Sequence, residues 1–372
     1  MEPGSERELA ESVAGASGPI RIVGGGTRGI GGSGAALSVR GLSGITLYEP
    51  GALTLVAQAG TPVAEIEAAL AAENQRLAFE PMDHRAVMGT SGQPTIGGVI
   101  AGNISGPRRI QAGAARDFLL GVRYVDGMGQ VIRNGGRVMK NVTGYDLVKL
   151  MAGSWGTLGV LSEVSLKVLP AVDHVAVLLI EGLDVAQAVE VMSLALGAPY
   201  DVTGAAHVPV GLDGEPVTMI RLEGFEESVR YRAGRLSEML AGFGEVKVEA
   251  DPVRTAAGWR WVRDAEMFQG SDGDLWRISV KPGDGPQIAA RLGAARMLFD
   301  WGGGLIWAEA TPGTDLRALV APLAGHATRV RAQDPSDGIA RFHPEPAPLA
   351  ALSAGIRAKF DPRGIFNPGL MG

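Results

Sequence analysis

The chain has 372 residues, of which 46% are hydrophobic and 20% charged, with a formal net charge of -6. That length suggests two or three domains, and scattered arginines on an acidic chain give no basic face for nucleic acid. With no cysteine, disulfides, iron–sulfur ligation and cysteine nucleophiles are excluded within this chain, so electrons would have to sit on a bound organic cofactor.

The opening stretch MEPGSERELAESVAGAS has neither a basic start nor an apolar core, so no signal peptide is expected. No apolar run approaches the roughly 18 residues of a membrane span; the absence of cysteine fits a cytoplasmic location. Ser5 and Glu8 form a capping-box pattern that opens a helix to about Ala14. IRIV (20–23) reads as a strand feeding the loop GGGTRGIGGSG. ALSV (36–39), ITLYE (45–49) and LTLVAQAG (53–60) read as further short strands. Thr61 as N-cap and Pro62 as first helical residue predict a helix over TPVAEIEAALAAENQ. Residues 80–114 read as one long Gly/Pro/Ser-rich loop, and loops of that length are usually functional. FLLGVRYVD (118–126) and VIR (131–133) are strands, followed by the glycine-rich GGRVMKNVTG. Thr143 and Asp146 are placed to cap the helix YDLVKLMAG, and SWGTLGVLSEVSLKVLP runs from a glycine turn into a strand ending at Pro170.

Beyond Pro170 the glycine clusters thin out. HVAVLLIEG, VAQAVEVMSLAL, DVTGAAHVP, PVTMIRLEG, ESVRYRAGRLSEMLAGF and EVKVEA alternate as strands and helices. LWRISVKP, QIAARLGAA, GLIWAEATPG, LRALVAPLAG and ATRVRAQ look like a second, similar unit. The pattern predicts an antiparallel sheet with helices on one side. A last helix, PLAALSAGIRAKF, leads into DPRGIFNPGLMG. The expected division is 1–170, 171–344 and a C-terminal helix and tail at 345–372.

The first glycine loop fits two familiar phosphate motifs poorly. Gly24, Gly26 and Gly29 satisfy G-x-G-x-x-G after a strand, but IGGSGAALSV cannot open the helix that a Rossmann site needs. A P-loop needs a terminal G-K-[ST], and Gly31-Gly32-Ser33 lacks the lysine. A backbone nest for an anion survives both exclusions.

Two more glycine-rich stretches, TIGGVIAGNISGP (95–107) and KNVTGYDLVKLMAGSWGTLGV (140–160), accompany the first. Together with PGALTLVAQAGTPVAEIE and the terminal FDPRGIFNPG, they resemble the flavoenzymes of the vanillyl-alcohol oxidase, or p-cresol methylhydroxylase (PCMH), type. Within that family the phrases KNVTGYDLVKLMAGSWGTLGV and FDPRGIFNPG look like those of the FAD-binding subunits of bacterial glycolate oxidase. The resemblance implies an α+β fold: a PCMH-type FAD-binding domain of two α+β subdomains, covered by an α+β antiparallel-sheet cap. It implies FAD wrapped at its pyrophosphate by Gly24, Gly25, Gly26 and Thr27. Gly97, Gly98, Asn103, Ser105 and Gly106 would line the middle of the cofactor. Gly153, Gly156, Thr157, Gly159 and Val160 would lie near the adenosine half, and Asn367 near the flavin ring. Many relatives bond the flavin to a His after the first loop or to a Cys in the second. Thr27-Arg28 and the absence of cysteine therefore predict non-covalent FAD.

Oxidation of a 2-hydroxy acid asks for an arginine on the carboxylate and a base for the hydroxyl proton. Related dehydrogenases carry histidine-rich metal motifs, whereas His84, His174, His207, His326 and His343 are dispersed here, so no metal site is expected. His84, in the long loop, is the one catalytic candidate. His174 and His207 read as structural, and His326 and His343 as exposed. Trp259, Trp261, Trp276, Trp301 and Trp307 are better explained as core than as a flavin shield. Arg260 and Arg263 are available for a carboxylate or for salt bridges. The resemblance implies a paralogous flavoprotein subunit, a Cys-rich iron–sulfur subunit and quinone as partners, with glycolate or D-lactate as substrate, and leaves membrane association through the partner subunits open. Three readings stay open: a subunit of that complex, with or without turnover of its own; a stand-alone FAD oxidoreductase of another hydroxy acid, sugar or alcohol; and a non-catalytic scaffold.

Overall fold

The computed structural model describes residues 1–30, 32–137 and 144–371. α1 (Glu6–Ala14) is capped by the Ser5 hydroxyl, which accepts from the Glu8 amide. The Glu8 carboxylate reaches back to the Gly4 amide instead of completing the box at Ser5. β1 (Ile20–Val23) and β2 (Ala35–Ser38) pair in parallel, an arrangement that forces the intervening glycine loop to cross over. Leu9, Val13, Ile20, Leu37 and Phe366 share one small core, so the C-terminal tail packs beside the first strand. Among the described residues, this core sits beside a second, larger one.

That larger core begins with β3 (Ile45–Glu49), β4 (Thr54–Gln58) and α2 (Val63–Ala72), whose Val63, Ile66 and Leu70 form its buried stripe. Pro62, not Thr61, occupies the N-cap position of α2. The Thr61 hydroxyl is drawn to the Gln58 and Gly44 carbonyls, and this tertiary anchoring overrides the local capping preference. After β5 (Gln75–Arg76), the stretch expected to be one loop carries three short helices, α3 (Arg85–Met88), α4 (Ile96–Ala101) and α5 (Arg109–Ala112). β6 (Leu119–Val125), β7 (Val131–Gly135), α6 (Leu147–Met151), β8 (Val160–Lys167) and β9 (Leu169–Pro170) follow. Asp146 caps α6 through the Lys149 amide; Thr143 lies outside the described residues. The sheet runs β3-β4-β8-β6-β7, antiparallel throughout.

The remaining chain forms β10 (His174–Glu181), α7 (Val185–Gly197), β11 (Val202–Val208), β12 (Val217–Gly224), α8 (Glu226–Leu240) and β13 (Val246–Glu249). α9 (Pro252–Arg263), capped by Asp251, then leads to β14 (Asp274–Ser279), α10 (Gly285–Leu292), β15 (Met297–Asp300) and β16 (Leu305–Ala310). α11 (Arg317–Val320), β17 (His326–Arg331) and α12 (Ala347–Phe360) end the chain. One antiparallel sheet has the order β13-β10-β12-β11-β15-β16-β14-β17. It consists of two βαββαβ units with strand orders 4-1-3-2 and 2-3-1-4, joined through their second strands where His207 faces Phe299. Alternation along β10 decides the faces: Leu178 and Ile180 pack under α7 and α8, while Val177 turns the other way. On that second face lie Trp259 and Val262 of α9 together with Met82 and Val87 from the first half of the chain. The helices are thus not all on one side, because α9 and the 80–88 segment cover the opposite face.

Candidate functional site

β1 delivers the chain into the first glycine loop against the start of the second. A Cβ on Gly24 would lie 2.5 Å from Thr95 Oγ1, and one on Gly25 1.5 Å from the Gln93 carbonyl oxygen. Only glycine permits that approach. Gly26 has φ +70°, and a side chain there would meet no protein atom within 4 Å. Thr27 is buried, and its carbonyl accepts from Thr90 Oγ1 at 3.1 Å. Among the described residues, the amides of Gly25, Gly26, Thr27 and Arg28 donate to no protein acceptor. Consecutive free amides of this kind form an anion cradle.

The other loops close a ring around this cradle. The Gly97 amide donates to the Ala59 carbonyl at 2.8 Å, and the Gly98 amide to Thr95 Oγ1 at 3.3 Å. Asn103, at φ +48°, accepts from the Arg116 amide through its side chain and from Ser105 Oγ through its carbonyl. Ser105 Oγ in turn accepts from the Ala115 amide, and the Gly106 amide reaches the Phe79 carbonyl. The third loop hangs on the end of α4: the Gly153 and Trp155 amides donate to the Ile100 and Ala101 carbonyls. Gly153 and Gly156 have φ +91° and +72°, and Thr157 Oγ1 donates to the Ser154 carbonyl. Gly159 is packed against Tyr124 and the Val125 carbonyl, and Val160 is fully buried as the first residue of β8. Asn367 completes the ring. Its Oδ1 accepts from the Ile22 amide and its Nδ2 donates to the Trp155 carbonyl, both at 2.9 Å. The side chains of Asn103, Ser105, Thr157 and Asn367 are therefore committed to shaping the loops.

Positive charge gathers beside these loops. Arg28 is 9% exposed, and its buried Nε and Nη2 have no hydrogen-bond partner among the described residues. Burial lowers its pKa to about 10, opposed by the nearby Asp83, so it stays cationic at neutral pH. Its Nη1 lies 2.9 Å from where a Gly98 Cβ would stand. Arg109 of α5 and Arg277 of β14 lie with Cζ 5.1 and 4.9 Å from the centroid of the same Trp301 ring. The Trp301 indole donates to the Gly106 carbonyl at 3.0 Å, tying β15 to the second glycine loop. Burial, then the Arg109 charge, lower Arg277 to about 10. His84 is buried with Nδ1 3.3 Å from the Met82 carbonyl. Burial and then Arg28 hold its pKa at about 3, so its imidazole is neutral and weakly basic. Burial pushes Asp300 up to about 7, although its Oδ1 accepts from the Trp301 amide at 2.7 Å.

Arg260 and Arg263 lie with carboxylates instead: Arg263 binds Asp264 at 2.7 Å and Arg260 approaches Glu266 at 3.5 Å. Trp259, Trp276 and Trp307 are core. His207 is fully buried against Thr218 Oγ1, and His343 is half-buried, its Nδ1 accepting from the Ala327 amide. Arg109, Arg277 and Asp300 were not singled out in the sequence because each looks ordinary locally. The one visible signal was Arg28, a cation inside a glycine loop. Among the described residues, no three His, Cys, Asp or Glu side chains group as metal ligands, and no helix is long and apolar enough to cross a membrane.

A glycine-lined cradle of free amides with an unpartnered buried guanidinium beside it fits the diphosphate of a dinucleotide. Residues 1–135 match the family described as FAD binding domain. Solved structures of alkyldihydroxyacetonephosphate synthase in two crystal forms share the fold. Each has a TM-score of 0.71 and covers 99% of this chain and 76% of that one, at 15% and 16% identity. The protein is an FAD-dependent oxidoreductase with a PCMH-type FAD-binding domain. It is 37% identical over 343 residues to glycolate oxidase subunit GlcE of Escherichia coli K12, covering 91% of this chain and 87% of that one. The chain belongs to the GlcE family of glycolate oxidase FAD-binding subunits. More distant similarity reaches glycolate oxidase subunit GlcD of Bacillus subtilis, 45% identical over 76 residues. It also reaches a D-lactate dehydrogenase of Anaerostipes hadrus, 41% identical over 86 residues. These two alignments cover 20% and 23% of this chain, and 16% and 18% of those proteins.

Proposed function

We propose that this chain is the non-covalent FAD subunit of a glycolate oxidase complex. It would oxidise glycolate, or D-lactate, to the 2-oxo acid and pass electrons through an iron–sulfur partner towards quinone. Residues 1–170 with the 345–372 tail would hold the cofactor, and 171–344 would cover it. The carrying observation is the run of free amides from Gly25 to Arg28 beside the unpartnered Arg28 guanidinium. Those amides and Arg28 take the diphosphate. Gly24 lets the loop lie flat against Thr95, and Gly97, Gly98, Asn103, Ser105 and Gly106 form the wall beside it. Gly153, Gly156, Thr157, Gly159 and Val160 build the adenosine end, and Asn367, expected near the flavin ring, bonds Trp155 of that loop and Ile22 of β1. Thr27 and Arg28 stand where covalent relatives place a histidine, and neither bonds a flavin. FAD, when bound, supplies the two-electron acceptor. The protein excludes water with Trp301 and keeps His84 neutral beside the reacting centre.

One observation favours a second role for the same subunit. Without a metal-ligand group among the described residues, the chain would relay electrons from a paralogous flavoprotein that oxidises the acid. Visible spectra separate these roles. The purified chain should show a flavin spectrum, with the flavin released into the supernatant by acid. Gly26→Leu should lose the flavin while melting within a few degrees of wild type. Anaerobic glycolate should bleach the isolated chain if it turns over itself, and only the assembled complex if it relays. Absence of flavin from both the chain and the complex defeats the proposal.

A further inference from the structure

Arg109 and Arg277 come from different parts of the fold, one from the helix after the second glycine loop and one from β14, beside the edge strand β17 of the cap sheet. Both approach a single indole, that of Trp301. Neither guanidinium hydrogen-bonds to a carboxylate, or to any acceptor, among the described residues, although each is half-buried. This contrasts with three other partly or fully buried arginines, Arg221, Arg108 and Arg263. Arg221 forks onto Glu80 at 3.0 Å, Arg108 binds Glu80 and Glu223, and Arg263 binds Asp264. Arginines placed out of bulk water without an anion are costly, and stacking on an aromatic face offsets only part of that cost. The acids whose charges act on the pair are Asp117 for Arg109 and Asp300 for Arg277, and neither hydrogen-bonds to its arginine; Asp300 Oδ1 accepts from the Trp301 amide instead. The indole itself is fixed to the Gly106 carbonyl, so the pair is held against the glycine loop that lines the cofactor cleft.

We propose that Arg109 and Arg277, positioned by Trp301, form a carboxylate-binding site for a small hydroxy or oxo acid within this chain. Planar guanidinium groups match a carboxylate with paired N–H donors, which a lone lysine does not. The site deepens the functional reading above and rests on it, because it faces the loop assigned to the flavin. It also gives the isolated subunit a substrate anchor of its own. Arg28 belongs to the cofactor side, next to Gly98, and is not part of this clamp.

Oxalate is a suitable probe, since it carries the carboxylate of glycolate but has no hydrogen to give up as hydride. Isothermal titration of oxalate into the FAD-loaded chain should show saturable binding that weakens with added salt. Arg109→Met and Arg277→Met should each weaken it on the order of thirtyfold or more, with FAD content unchanged. In the wild-type chain, oxalate should also protect Arg109 and Arg277 from phenylglyoxal, as mapped by mass spectrometry. That measurement stands even where a variant does not fold. Undiminished oxalate binding in both variants, or modification of both arginines unaffected by oxalate, overturns the proposal. Loss of FAD from the variants overturns it too, since the arginines would then serve the cofactor. A separate outcome distinguishes the two readings: a chain that binds oxalate but takes up no added FAD keeps the clamp and rejects the flavin reading.

Discussion

At the scale of single residues, Asp300 is the group whose surroundings decide most. It ends β15 with its side chain buried, and one oxygen accepts from the next amide. Burial outweighs the nearby Arg221 and Arg277 and raises its pKa from 3.8 to about 7. The folded state then binds a proton more tightly than the unfolded chain does. The stabilisation is complete below the unfolded pKa near 4 and is lost as pH rises through about 7. Asp300→Asn keeps the carbonyl that receives the Trp301 amide and removes the titration. The variant should therefore melt near wild type at pH 4 and above it at pH 8. The full difference is roughly 4 kcal/mol at most. Thermal melts at the two pH values, each with FAD bound, test this; a gap of equal size at both would show that Asp300 does not titrate on folding. His84 behaves in the opposite sense. Held at about 3, it is already neutral across the physiological range, so flavin reduction by substrate should show no inflection near 6.5 from this residue.

At the scale of elements, the three glycine loops act as one object because the third hangs on the end of the second and is fastened to β1 by Asn367. Its amide bonds the Ile22 amide and the Trp155 carbonyl, partners lying 345 and 212 residues away. Asn367→Ala removes both bonds and leaves two backbone groups without partners. A loss of about 2–4 kcal/mol is expected, at 1–2 per orphaned group, together with weaker FAD retention on gel filtration. A variant with unchanged melting and flavin content would show that the tail does not hold the ring together. These distances also mark what was legible in the sequence. The glycines could be found because a tight turn or close approach is written locally, as at Gly25 and Gly26. The strands of the two βαββαβ units were legible from their apolar runs, except β15. All four residues of β15 are buried, so MLFD shows no alternation to read. α9 was not predicted, although Asp251 and Pro252 mark its start. The N-cap at Thr61 failed because its hydroxyl prefers Gln58 and Gly44, contacts no local rule contains. The pairing of Arg109 with Arg277 is wholly tertiary: two unremarkable arginines become a candidate site only when Trp301 brings them together.

At the scale of the whole molecule, the question is what holds the cap sheet over the glycine loops. Apolar contact contributes through Met82 and Val87, which pack with Trp259, Leu298 and Trp307. A buried ion network crosses the same boundary. Arg221 of β12, 2% exposed, donates from both terminal nitrogens to Glu80 and also to Thr203, with its guanidinium 4.3 Å from the Trp259 ring. Glu223 is bonded by Arg108 and Arg76, and these cations hold its carboxyl well below the usual range despite burial. Such a network gives little net stability over an apolar replacement, but breaking it from one side strands a buried charge. Arg221→Met should destabilise the protein by about 3–5 kcal/mol, and Glu80→Gln by a similar amount. The two changes combined should cost clearly less than their sum, because neither charge is then left alone. The measurement is a double-mutant cycle by urea unfolding, followed by flavin tryptophan quenching as a report on cap position. Additive losses would mean that the two residues act independently and that the apolar face alone holds the cap. A strong coupling would instead place the closure of the cofactor cleft on Glu80, which follows Phe79 at φ +45° and directly receives the Arg108 amide. The same strained turn supports the second glycine loop, whose Gly106 is packed 2.2 Å from the Glu80 carbonyl at its Cβ position. The ion pair and the cofactor loop therefore share a single backbone support, and loosening one should loosen the other.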